Sequence, residues 1–286
     1  MRVLTFAAGY DDGGLLVVDP GFVTDGDPTP DADKGDPAID VEVLDRKGAT
    51  LHAARVGWTP LCAPAADGSG GGSPAVALGA IPFGRAAAGL RVTDGVRVVV
   101  ERMAPRTPLT AEVRWPEPVK SSDDRKRLID WKSEEGALAI AAYSPDGGTS
   151  WLPLGIPSAT SPLEVDLTNV PGSDKGQLRL LVTDGLRTIT VDSSPWPLVA
   201  TGWVGAILTP VDGTRIEAGI PVVLAGQAIE LERREWADAQ LEWHTEGLGR
   251  LGSGAELTVA FPPGSHIIQL RIGDRVLAAV VLTVGD

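Results

Sequence analysis

Leu90–Val100 reads LRVTDGVRVVV, and the pattern returns as LRLLVTDGLRTITV over Leu178–Val191 and as IQLRIGDRVLAAVVLTV over Ile268–Val284. Aligned on Asp94, Asp184 and Asp274, the three stretches stand 90 residues apart. In each, two runs rich in β-branched and aliphatic residues flank a candidate two-residue turn: Asp94-Gly95, Asp184-Gly185 and Gly273-Asp274. Asp-Gly suits a type I′ turn and Gly-X a type II′ turn, the two whose twist matches a hairpin. A hairpin recurring at this interval predicts the closing strands of a small antiparallel β-sandwich, present three times in tandem.

The breaks after the first two hairpins are proline-bearing, with Pro105 and Pro108 after one and Pro195 and Pro197 after the other. Proline cannot donate to a ladder and stiffens a short connection, so these read as semi-rigid linkers. The expected domains are residues 1–104, 105–197 and 198–286, arranged as an elongated row because each touches only its neighbours. Between the breaks, AIDVEVLD, ALAIAAYS, PLEVDLT and AELTVAF alternate as strands with one buried face. IELERREWADAQLEW is the nearest thing to an amphipathic helix, and its charges favour a brief helical turn or a polar strand edge.

Composition agrees with an all-β reading. The chain has 286 residues with 35 Gly and 23 Pro against 2 Met, which disfavours long helices. A formal charge of -13 and a pI near 4.7 argue against nucleic acid and anionic membrane as partners, since both require clustered Lys and Arg. No run of 18 apolar residues is present, and MRVLTFAAGY is too short in its apolar stretch for a signal peptide. The chain as given reads as soluble and cytoplasmic, with a secreted or surface location open if it belongs to an exported assembly. A lone Cys62 excludes an intrachain disulfide and any multi-cysteine metal site.

Several motifs invite chemistry and have plainer readings. Ser144-Pro-Asp-Gly-Gly-Thr-Ser-Trp151 matches an Asp-box, in which Asp146 accepts backbone N–H bonds, Gly148 allows positive φ and Trp151 folds back as a lid; this is a hairpin staple. Gly247–Gly252 satisfies G-x-G-x-x-G, but a strand follows it rather than the helix a pyrophosphate needs. The acidic stretch holding Asp25, Asp27, Asp31, Asp33 and Asp36 has the carboxylate density for calcium but lacks EF-hand order, and reads mainly as a solvated loop. His52, His244 and His266 are far apart, and Cys62 has no nearby histidine to activate it. No cofactor and no catalytic set is expected.

The tryptophans divide. Trp131 and Trp243 lie within β-type runs and read as core, whereas Trp196 and Trp203 beside a linker, together with Trp236, are candidates for contact with a partner.

Arg127–Leu154, RLIDWKSEEGALAIAAYSPDGGTSWLPL, followed by LRLLVTDGLRTITVDSSPWPL, resembles the Ig-like and fibronectin type III-like modules appended to bacterial hydrolases and metallopeptidases. Leu241–Asp274, LEWHTEGLGRLGSGAELTVAFPPGSHIIQLRIGD, is similar to PKD-like and Ig-like modules, with a Trp, a Leu-Gly-x-Gly turn and a Pro-Gly-x-His strand entry. The likeness is specific from about Val113 onward, and such modules usually belong to longer secreted chains. It implies a fold and no activity. The expected role is a noncatalytic structural or accessory subunit that docks to or spaces a larger protein; the alternative is a carbohydrate-binding accessory protein that stacks sugars on coplanar exposed tryptophans.

Overall fold

The computed structural model describes residues 1–10, 15–60, 75–95, 97–121, 125–237 and 240–285. No α-helix occurs among them, and the strands form six sheets that fall into three consecutive pairs along the chain.

The first pair uses β1 (Arg2–Tyr10), β2 (Leu16–Asp25), β3 (Ala38–Leu44), β4 (Thr50–Gly57), β5 (Thr59–Pro60), β6 (Ala75–Pro82), β7 (Gly89–Asp94) and β8 (Arg97–Met103). They are ordered β2-β1-β6-β5 and β4-β3-β7-β8. The second pair uses β9 (Glu112–Arg114), β10 (Lys126–Lys132), β11 (Leu138–Ser144), β12 (Leu152–Pro153), β13 (Leu163–Asp166), β14 (Gln177–Thr183) and β15 (Thr188–Asp192), ordered β13-β10-β9 and β12-β11-β14-β15. The third uses β16 (Trp203–Thr209), β17 (Thr214–Ile216), β18 (Val222–Glu230), β19 (Glu235–Trp236), β20 (Glu242–Thr245), β21 (Gly249–Ser253), β22 (Glu256–Val259), β23 (Gly264–Ile272) and β24 (Arg275–Val284). Here β16-β18-β19, with β22 also on β18, faces β17-β24-β23-β20-β21.

Period-two alternation builds each core. In β3, Ile39, Val41 and Val43 turn inward while Asp40 and Glu42 turn out, and in β14 Leu178, Leu180 and Val182 do the same. Leu4, Phe6, Ile81 and Leu90 meet the β3 residues in the first sandwich; Ile129, Trp131 and Val165 meet β14 in the second; Leu224, Trp243, Ile268 and Leu282 fill the third. A separate cluster of Tyr143, Leu167, Leu178, Trp196 and Leu198 closes one end of the second sandwich. Leu198 exchanges both backbone hydrogen bonds with Ser173 (2.8 and 2.9 Å).

The three closing hairpins form as the sequence predicts, but their turns differ. Only β23-β24 has the expected two-residue turn: Ile272 pairs with Arg275 around Gly273-Asp274, with Gly273 at φ 53. In β7-β8 Asp94 itself pairs with Arg97, so Asp94 belongs to the ladder and not to the centre of the turn. In β14-β15 the last pair is Thr183 with Thr188, leaving a four-residue loop in which Asp184 Oδ1 accepts the amides of Leu186 (3.0 Å) and Arg187 (2.7 Å). The bulges set a slightly different repeat: Val92 and Leu270, each paired just before a bulge, correspond, so the third hairpin stands 178 rather than 180 residues after the first. Val99 and Leu277 are then the matching extra residues of bulges in the first and third hairpins.

One pairing departs from the antiparallel expectation. The β18 ladder ends at Thr209, where Pro210 has no N–H to give, and the chain crosses to the other sheet as β17, which runs parallel to β24. Asp212 Oδ1 accepts the Val281 amide (2.8 Å) at the crossing. The charged stretch Glu230–Glu235 forms a turn and the short edge β19 rather than a helix. Gly247–Gly252 is the β20-β21 hairpin, with Gly247 and Gly249 at positive φ, so this glycine motif is a strand-to-strand turn.

Candidate functional site

The residues that join one sandwich to the next form two junctions. At the first, the four-residue loop of β14-β15 reaches into the neighbouring core: Leu186 is 1% exposed and packs in the same cluster as Phe6, Val23 and Leu90. Around it Thr183 Oγ1 donates to Gly21 O (2.9 Å), Thr188 Oγ1 accepts the Val23 amide (2.7 Å), and Arg102 donates to Asp184 O (2.9 Å). The linker is held from both sides, because Arg46 donates to Ala104 O (2.6 Å) and Pro105 O (3.3 Å) while Arg187 donates to Thr107 O.

The second junction is polar. Arg125, 5% exposed, donates Nη2 to Val199 O (3.0 Å) and Ala200 O (2.9 Å), and Arg275 donates to Thr201 O (3.2 Å). Glu232 accepts the amides of Gly172 (2.8 Å), Thr201 (2.7 Å) and Gly202 (2.8 Å). Desolvation pulls the Glu232 carboxyl upward, but the three amides outweigh it and hold it below the ordinary glutamate value. Burial pushes the Arg125 guanidinium down, and Glu232 opposes this.

The structure separates the three partner-contact tryptophans. Trp196 is 3% exposed, donates its indole N–H to Pro116 O (2.8 Å) and belongs to the second core, so it is no surface anchor. Trp203 is half-buried against the third core. Trp236 is 60% exposed and stands in one cross-strand row with Ile229 and Val204. Trp131 and Trp243 are buried as the sequence suggests, and Trp58 stacks on Tyr10 with centroids 5.3 Å apart. Trp236 is thus the one tryptophan among the exposed large apolar residues.

The two carboxylates lowered furthest, Asp146 and Glu134, sit in turns. Asp146, held at about 2, accepts the Ser150 hydroxyl (2.6 Å) and amide (2.8 Å) and the Ser144 hydroxyl (2.8 Å). Trp151 donates to Gly148 O (3.0 Å), and Arg179 lies 3.8 Å above its ring while paired with Asp192 (2.6 Å). Glu134, also at about 2, accepts the amide and hydroxyl of Thr110 and the Ser133 hydroxyl. Asp94 ends β7, Asp184 caps its loop and Asp274 sits in the third turn. In the acidic stretch, Asp31 Oδ1 accepts the Arg55 amide (3.2 Å), and the carbonyls of Asp33 and Asp36 accept from the Arg55 guanidinium. Asp25 and Asp27 do not join them: no group of three or more His, Cys, Asp or Glu that could hold a metal occurs among the described residues. Cys62 lies outside the described residues.

Leu186, Arg125 and Glu232 were not singled out by the sequence reading. Leu186 left a trace there, an apolar residue at a hairpin tip where a polar one is usual; the other two left none.

No protein-family model matches the chain, and no curated protein matches it. Among solved structures it is similar to the fibronectin(III)-like modules of Clostridium thermocellum CbhA, at 12% identity over 62% of this chain and 93% of that one, with a TM-score of 0.22. It is also similar to Escherichia coli alpha-2-macroglobulin activated by porcine elastase, at 10% identity over 94% of this chain and 29% of that one, TM-score 0.27. A third is the N-terminal four Ig domains of Dscam1 isoform 1.9, at 11% identity over 97% and 79%, TM-score 0.21. The chain spans less than a third of the macroglobulin's length.

Proposed function

We propose that this chain is a noncatalytic spacer and docking subunit made of three tandem sandwich domains in an elongated row, joined near residues 104 and 199. The observation that carries the reading is that each linker is hydrogen-bonded into both sandwiches it connects. Linker carbonyls fixed by Arg46, Arg187, Arg125 and Arg275 favour a set spacing over free rotation. The turn carboxylates support a structural role as well, because their lowered pKa values come from hydroxyls and amides that close loops. The partner in this reading is a protein, met through exposed sheet faces and edges near the second junction. Purification of the intact chain from its native cell at moderate salt tests it: recovery of a protein at fixed stoichiometry, with no turnover in the isolated chain, is expected. A chain that elutes alone in its native extract contradicts the docking half of the reading.

A further inference from the structure

The sheet edges are not alike. Among described edge strands of four or more residues, β2 carries Asp19 and Asp25; β4 carries Arg55; β8 carries Arg97, Glu101 and Arg102. β13 carries Glu164 and Asp166, β15 Asp192, β21 Arg250 and β22 Glu256. Charges and prolines in such places keep an edge from pairing with another chain. β16 reads WVGAILT, with no charge and no proline, and pairs only with β18; no other backbone hydrogen bond reaches it among the described residues.

Two recesses border this edge. One, of about 220 Å³, lies between β16 and the start of β24; the other, of about 250 Å³, lies over Gln227, Ile229 and Trp236. Asn169, Val204 and Gly205 line both, so the recesses meet around the strand. One flank is the apolar row Trp236, Ile229 and Val204. On the other, exposed Arg275 reaches only the Thr201 carbonyl and forms no ion pair among the described residues.

We propose that β16 receives an extended segment of a partner polypeptide as an added strand, with an apolar side chain over the Trp236 row and a carboxylate at Arg275. This rests on the docking reading above. Main-chain pairing supplies affinity in this mode, and alternate side chains supply choice of partner. Charge selects the occupant: a second copy of β16 brings no carboxylate to Arg275, and a polyanion is repelled by a chain of net charge -13.

The test uses the intact chain and three synthetic eight-residue peptides of alternating Val and Thr, with Asp first, Asp last, or no Asp. Hydrogen exchange at residues 203–209 is followed by NMR. Slowed exchange along β16 is expected, with one Asp peptide tighter than the uncharged one by about two- to fivefold, the worth of one exposed ion pair. Ala206→Lys, at an exposed position, weakens all three by about tenfold or more with thermal unfolding unchanged, and Arg275→Gln levels the peptides. No slowing with any peptide, or undiminished binding by Ala206→Lys, overturns the proposal. Self-association that Ala206→Lys abolishes overturns it too, by placing a second copy on the edge. If a native partner is retained by Ala206→Lys at the same stoichiometry, the docking reading stands and the edge assignment fails.

Discussion

The two junctions do one job with different chemistry. At the first, an apolar side chain from one sandwich completes the core of the next, and the hydroxyls of Thr183 and Thr188 with the guanidiniums of Arg46, Arg102 and Arg187 finish the contact. At the second no core cluster is shared among the described residues; a buried guanidinium, an exposed one and a carboxylate divide the polar groups of residues 199–202 among them. Apolar burial does not titrate, whereas charge-assisted bonds near the surface are screened by salt and those of a carboxylate are lost on protonation. The second junction, which depends on the Glu232 carboxylate, is therefore the one that acid can loosen, while the buried Leu186 keeps the first in place.

The largest effect should come from breaking the first junction. Leu186→Ala is expected to lower stability by about 3 kcal/mol, as for other buried leucines, and Leu186→Asp to detach the first sandwich from the second altogether. Chemical denaturation with separate probes in the two sandwiches should show one transition becoming two. Retention of a single transition in Leu186→Asp contradicts a shared core.

Arg125→Met should be next, at about 2–3 kcal/mol, because the carbonyls of Val199 and Ala200 lose their donor. The loss should appear as a wider spread of distances between the second and third sandwiches, with the first pair unchanged.

Glu232→Gln is milder, about 1 kcal/mol, since a side-chain amide still accepts from part of the amide set. The carboxyl lies below its unfolded value of about 4.3, so its contribution is present above that pH and is lost as the pH falls through the lower folded value. Acidification below about pH 4 should loosen the second junction in the native chain. Glu232→Gln should remove that pH dependence at neutral-pH looseness; an unchanged acid profile in the variant would mean another group is responsible.

The smallest effect sharpens the comparison from inside the second sandwich. The Tyr143 hydroxyl is buried near Arg125 without a hydrogen-bond partner among the described residues, and burial raises its pKa to about 12. Tyr143→Phe should be neutral or stabilising by up to about 1 kcal/mol, since it removes a desolvated polar atom. A loss above 1 kcal/mol would reveal a bond that the geometry does not contain.

The sequence made the strands legible because alternation is local: β3, β13 and β22 each turn one face toward the core. Register was less legible. Asp94, Asp184 and Asp274 line up in sequence, yet the bulges of β7-β8 and β23-β24 and the four-residue loop of β14-β15 place the aspartates at different points of their turns. Junction contacts were out of reach, because Leu186 with Phe6, or Glu232 with Gly172, joins residues far apart in the chain through geometry that only the folded sandwiches create. Trp196 shows the same limit: proximity to a linker suggested a surface, and the end of the second core took the side chain instead.

The most direct test of clamped junctions is a distance measurement by double electron–electron resonance on the intact chain. Spin labels go on Lys47→Cys in the first sandwich and Leu248→Cys in the third, both exposed, with Cys62→Ser. A single narrow distribution at neutral pH, broadened by Arg125→Met, is the predicted result. A distribution already broad in the otherwise native chain would contradict the account, because it would mean that the linkers turn freely despite the hydrogen bonds that hold them.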